Sequence, residues 1–181
     1  MRKTLAVVLV LVMMSLTGCT VRLVDMTEMT VMRLQTTELY YAYGVKSINL
    51  KAMSKCALPP TVNIVNAETR VDSGINPKEL MNGVVDYLKY GFEKSKVQID
   101  SNSSKIIRLS LKEVNHEGTP LTGSKGYIQI IVDIPEIKYM ETYEAHDRTG
   151  GDSGRAIAYA IHVVTRQIID AQNIQDYVLC R

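Results

Sequence analysis

The side chains in this sequence that could do chemistry are three thiols, one serine in a glycine-rich stretch and three scattered histidines. The thiols are Cys19, Cys56 and Cys180. None belongs to a C-x-x-C motif or stands beside a histidine at metal-ligand spacing, so no dithiol redox motif and no zinc site is predicted. Ser153 lies in Gly151-Asp152-Ser153-Gly154. A serine nucleophile needs a histidine base and a third group to orient it. His116 and His146 fall at strand ends or in loops. His162 lies near the apolar stripe of a helix with no second ligand one turn on, which reads as a core or boundary histidine. Thr149-Gly150-Gly151 precedes a helix and could cradle an anion there, but it lacks the spacing and the lysine of a phosphate loop. No two carboxylates stand out for acid–base work. The expectation is therefore no catalytic residue, no cofactor and no metal.

The first nineteen residues set the context for the thiols. Arg2 and Lys3 form a basic start, and Leu5 to Met14 form an apolar run. That run is shorter than the roughly 20 residues a spanning helix needs, but it suits the apolar region of a secretory signal peptide. It ends in Leu16-Thr17-Gly18-Cys19, which resembles the lipobox of bacterial lipoproteins. The resemblance implies a signal peptide over residues 1–18, cleavage before Cys19, and acyl chains on Cys19 that hold the mature chain to a membrane. Each buried CH₂ contributes about 0.8 kcal/mol, and more than one chain makes such anchoring stable. Thr20 stands where an Asp tends to retain such proteins in the inner membrane. The lack of Asp there points to the outer membrane, facing the periplasm, if the organism is Gram-negative.

Gly151-Asp152-Ser153-Gly154 also resembles the tetrapeptide around the nucleophile of trypsin-like proteases. Arg155 stands where that family has Gly, an apolar helix begins at once, and neither His116 nor His146 has the family's flanking residues. The expected role of Asp152 or Ser153 is to cap the last helix, its side-chain oxygen accepting from backbone N–H groups.

The net charge of +2 is the signal peptide's own: Arg2 and Lys3 account for the whole excess of 21 basic over 19 acidic residues. Without a basic run or stripe, the electrostatic footprint of nucleic-acid binding is missing, and no nucleic-acid partner is expected. With no Trp and one Phe, aliphatics and Tyr must fill the core. In an exported chain Cys56 and Cys180 are expected to pair, because that compartment is oxidising. Two buried free thiols or an intermolecular bridge are the alternatives.

Thr20 to Pro60 is the hardest stretch to read. Short alternations run from Thr27 to Leu34, Leu39 to Tyr43 suggests a strand ended by Gly44, and Ser47 to Ser54 suggests a turn or short helix. The Met and Tyr residues between Met26 and Tyr43 read equally as an adaptable contact surface or as completion of the core. Pro59-Pro60 marks a boundary. Thereafter Thr61 to Val65 predicts a strand and Asp72-Ser73-Gly74 a turn. Asn76-Pro77-Lys78-Glu79 predicts a capped helix start, with Leu80, Val84, Leu88 and Phe92 as the helix stripe and an end near Ser95. Strands are predicted at Val97–Ile99, around Ile107–Leu111, at Ile128–Ile134 and from Tyr139 to Ala145. Loops are predicted at Gly118–Gly126 and Asp147–Gly154. Ile157, Ile161, Val164, Ile168 and Ala171 mark a second long helix, which Ile174 and Val178 extend toward Cys180.

This order predicts an α+β fold: a two-layer sandwich, its mainly antiparallel sheet covered on one face by two long helices. Three regions follow: the signal peptide at 1–18, a tether and partly packed segment at 19–60, and the α+β domain at 61–181. With the lipobox, the order resembles small periplasmic lipoproteins such as the YajG-like family, and more loosely LptE-like and TolB amino-terminal-like domains. The long segment before Pro60 departs from that compact pattern. The functional expectation is a lipid-anchored, non-enzymatic envelope protein whose partners are the membrane, through Cys19, and an envelope protein. The alternative is an auxiliary of envelope transport that holds a lipid or small apolar ligand between sheet and helices.

Overall fold

The computed structural model describes residues 54–67, 76–119, 123–150 and 153–181. The expectations for Cys19 and the lipobox, the segment from Thr20 to Met53, the turn at Asp72–Gly74, and Asp152 lie outside the described residues.

The fold is α+β. In chain order it runs β1 (Thr61–Asn66), α1 (Pro77–Lys94), β2 (Gln98–Ile99), β3 (Ile106–Thr119), β4 (Gly123–Ile134), a 3-10 turn (Pro135–Ile137), β5 (Tyr139–Thr149), α2 (Ser153–Asp170) and α3 (Gln172–Val178). The strands form one sheet in the order β2-β1-β3-β4-β5. The three long strands make an antiparallel meander. Short β1 runs parallel to both of its neighbours, so the sheet is mixed.

Local chemistry explains the start of α1. Asn76 keeps an extended backbone and its side-chain oxygen accepts from the Glu79 amide at 3.3 Å, while Pro77 occupies the first turn, where its missing N–H costs nothing. The apolar stripe of α1 buries Leu80, Met81, Val84, Val85, Leu88 and Phe92. In α2 the small residues Ala156, Ala158 and Ala160 are buried beside Ile157, Ile161, Val164 and Ile168. These stripes meet the inward sheet face: Val62 and Ile64 of β1, Ile107, Leu109, Leu111 and Val114 of β3, and Ile128, Ile130, Val132 and Ile134 of β4. Strict alternation would turn Val114 outward. A register shift between Leu111 and Glu113 restores it to the core face, which is what one extra residue in a strand does.

Three elements differ from the expectation. Gly118–Gly126 is mostly paired strand, with Thr119 opposite Gly123 and His116 opposite Gly126. β5 continues through Asp147 to Thr149 instead of yielding to a loop. The final helix is interrupted at Ala171, whose extended backbone separates α2 from α3. In each case the sheet or the core rewards a backbone path that local propensity alone does not specify.

Candidate functional site: the sheet face opposite the helices and the bridged corner

The long helices α1 and α2 lie on one face of the sheet, and among the described residues no element covers the other. Antiparallel partners share a face, so the register places Tyr127, Gln129, Ile131 and Asp133 of β4 beside His146, Glu144, Thr142 and Met140 of β5 on that second face. The Tyr127 and His146 rings stack, with centroids 4.4 Å apart and planes inclined by 26°. Glu144 accepts from Gln129 at 2.6 Å and from the Tyr127 hydroxyl at 3.3 Å. Loss of hydration, then the Glu144 and Glu113 charges and the hydrogen bond to Glu144, raise the Tyr127 pKa, so this phenol stays a neutral donor. Arg108 faces Asp133 at 3.7 Å, and Met140 is 72% exposed. The face thus mixes aromatic, amide, acidic and apolar groups on rigid strands.

A second cluster closes the sheet corner near β2. Cys56 and Cys180 are joined by a disulfide with Cα atoms 5.0 Å apart. The Lys55 amide donates to the Leu179 carbonyl at 2.8 Å, and the Gln98 amide donates to the Pro60 carbonyl at 2.8 Å, so the segment before β1 is held at both ends. Lys105, just ahead of β3, points its ammonium at the end of α3. It donates to the Tyr177 carbonyl at 2.8 Å, to the Val178 carbonyl at 3.1 Å and to Cys180 Sγ at 2.9 Å. Desolvation pulls its pKa below the ordinary lysine value, and Glu136 pulls in the other direction. The Tyr177 hydroxyl accepts from the Ile106 amide and donates to Glu136, both at 2.8 Å. Burial, aided by Glu136, keeps that phenol neutral well above the usual range. Nearby, the Tyr139 hydroxyl donates to Glu141 and accepts from the Tyr143 hydroxyl. A shallow cleft of about 400 Å³ opens beside them, lined by Ile137, Lys138, Tyr139, Asn173, Asp176, Tyr177 and Arg181.

Ser153 is the first residue of α2, half-buried, and its hydroxyl donates to Ser124 Oγ in a long 3.5 Å contact. The histidines are engaged elsewhere. His162 Nδ1 is hydrogen-bonded to the Tyr87 hydroxyl at 2.7 Å between α1 and α2, and His146 lies on Tyr127. Burial and then Arg166 lower the His162 pKa to about 4, against a smaller opposite effect of Asp147. His116 is exposed on β3. Among the described residues no group of three or more His, Cys, Asp or Glu could hold a metal ion. No helix among them is long and apolar enough to cross a membrane. Sequence reasoning missed Lys105 and Glu136, since nothing local marks a lysine that will meet a helix end 72 residues later. The strand from Tyr139 to Ala145 was legible, but not the cluster that Tyr139, Glu141 and Tyr143 make on it.

No protein-family model and no curated protein matches this chain. Among solved structures, it is similar to a DUF330-family protein from Xanthomonas campestris, at 10% identity and a TM-score of 0.42, over 73% of this chain and 92% of that one. A PelC dodecamer from Paraburkholderia phytofirmans matches at 8% identity and TM-score 0.41, over 68% of this chain and 94% of that one. A minor lipoprotein from Acinetobacter baumannii matches at 11% identity and TM-score 0.27, over 68% of this chain and 92% of that one.

Proposed function

We propose that this protein is a non-enzymatic envelope lipoprotein, anchored through acyl chains on Cys19, whose sheet face opposite the helices binds a partner protein. The observation that carries the reading is the sheet face opposite the helices: a rigid surface with the Tyr127–His146 stack at one end and exposed Met140 at the other. Aromatic and Met side chains are enriched at protein interfaces, and strands hold them at fixed spacing. The lipid-binding alternative needs space between the layers. The interlayer positions Leu109, Ile130, Val132, Ile157, Ile161 and Leu88 are all fully buried against one another, which favours a surface binder.

Two experiments test the reading. A photo-crosslinker at Met140 or Thr142 should trap a discrete envelope protein from intact cells, while one at Asp86 on the exposed side of α1 should not. Equal yields from both faces, or a co-purifying lipid that survives delipidating washes, would favour the alternative. Cys19→Ser should leave the chain uncleaved or soluble. Membrane fractionation after a high-salt wash together with palmitate incorporation by that variant would remove the anchor.

A further inference from the structure

We infer that the Cys56–Cys180 bridge is a site of thiol–disulfide exchange, with Cys56 the sulfur attacked, Cys180 the leaving thiolate and Lys105 the group that stabilises it. The reacting partner is a small thiol or a dithiol reductant of the compartment.

The argument starts from the end of α3. The Arg181 amide donates to the Asp176 carbonyl at 2.9 Å, and Cys180 between them has φ of +56°, so the helix closes with its left-handed residue at Cys180. That position normally falls to Gly, because a Cβ there is strained. One carbonyl of the last turn is thus satisfied by the backbone. The Tyr177 and Val178 carbonyls take Lys105 instead. An ammonium has three protons, and the third points at Cys180 Sγ, 2.9 Å away, whereas Cys56 Sγ is 3.9 Å away.

The asymmetry decides the direction of opening. Exchange is faster when the departing sulfur is the better-stabilised thiolate. A cation beside a cysteine stabilises its thiolate, and the negative pole of a helix C-terminus opposes this. Here Lys105 carries a whole charge in direct contact with Cys180 Sγ, while the helix offers about half a charge that the same ammonium already binds. The cation therefore prevails at Cys180. An incoming thiolate bonds to Cys56 Sγ, the Cys56–Cys180 bond breaks, and its electron pair leaves on Cys180 Sγ. With a dithiol, the second thiolate then displaces Cys56 and closes the reagent's own disulfide, so two electrons pass from reagent to protein. Opening removes the covalent link between the end of α3 and the segment before β1, while the Lys55–Leu179 backbone hydrogen bond still joins them.

The test uses the oxidised full chain and reduced glutathione at pH 7, quenched with acid, alkylated and mapped by mass spectrometry. Glutathione is expected on Cys56 in about fivefold or greater excess over Cys180. Lys105→Gln should slow opening by about threefold to tenfold and erase the preference, while Lys105→Arg should stay within about twofold of the parent. Glutathione equally on both cysteines or mainly on Cys180, or an unchanged rate in folded Lys105→Gln, overturns the inference. Should Lys105→Gln not fold, the parent decides alone. In its reduced form Cys180 should alkylate with a pH midpoint below that of Cys56, and the reverse order overturns the inference as well.

Discussion

Gly126 of β4 lies directly against the backbone of Ala156 in α2: a Cβ at residue 126 would come within 2.4 Å of the Ala156 carbonyl carbon and 2.5 Å of its oxygen. This contact sets how closely the first turns of α2 approach the sheet, and so where Ser153 sits. The sequence suggests a loop at this glycine. Its role is instead to remove a side chain where helix backbone and strand backbone meet.

Gly126→Ala should therefore destabilise the protein more than ordinary overpacking, by about 3 kcal/mol or more. The obstructing atoms are backbone, so Ala156→Gly should not rescue it. Urea unfolding of the single and double variants checks this, and a loss under about 1 kcal/mol for Gly126→Ala would show that α2 can shift away freely.

His162 should make stability pH-dependent. Its imidazole takes up a proton near 6.5 when unfolded but only at about 4 when folded, with Arg166 and Asp147 the charged groups acting on it. Between those values the unfolded state binds more protons, so stability falls as pH drops from about 6.5 to about 4 and levels off below. The whole effect is bounded at about 3 kcal/mol. His162→Gln should flatten this part of the pH–stability curve. A parent curve already flat between pH 6.5 and 4.5 would count against the buried neutral imidazole.

Thr165 is fully buried on α2, and its hydroxyl has no hydrogen-bond partner among the described residues. Thr165→Val keeps the shape and removes the unsatisfied group. It should raise stability by about 1–3 kcal/mol, seen as a higher thermal midpoint. A lower midpoint would mean that the hydroxyl is satisfied in solution.

Ser153 should not react with a serine-directed fluorophosphonate, because its hydroxyl meets Ser124 and, among the described residues, no histidine. Asp152→Ala should cost about 0.5–2 kcal/mol if Asp152 caps α2, with Ser153→Ala close to silent. Specific labelling of Ser153 in the folded protein would overturn the non-enzymatic reading.

Much of the scaffold was legible because its signals are local. Asn76, Pro77 and Glu79 announce the start of α1 through a cap that needs only neighbouring atoms. The alternation of Ile128, Ile130, Val132 and Ile134 matches the buried face of β4 residue for residue. The candidate surface was less legible. Tyr127 and His146 are 19 positions apart, and only the β4–β5 register stacks them.

By itself the sequence determined the α+β class and the two amphipathic helices, because period and capping are properties of short stretches of chain. It also carried the cysteine pair that the fold bridges. The tertiary structure alone decided that β1 runs parallel beside β3, that Gly126 is a contact and not a turn, and that Lys105 reaches the end of α3. Those outcomes depend on which distant backbones meet, and the free energy of such meetings appears only when the layers close on one another.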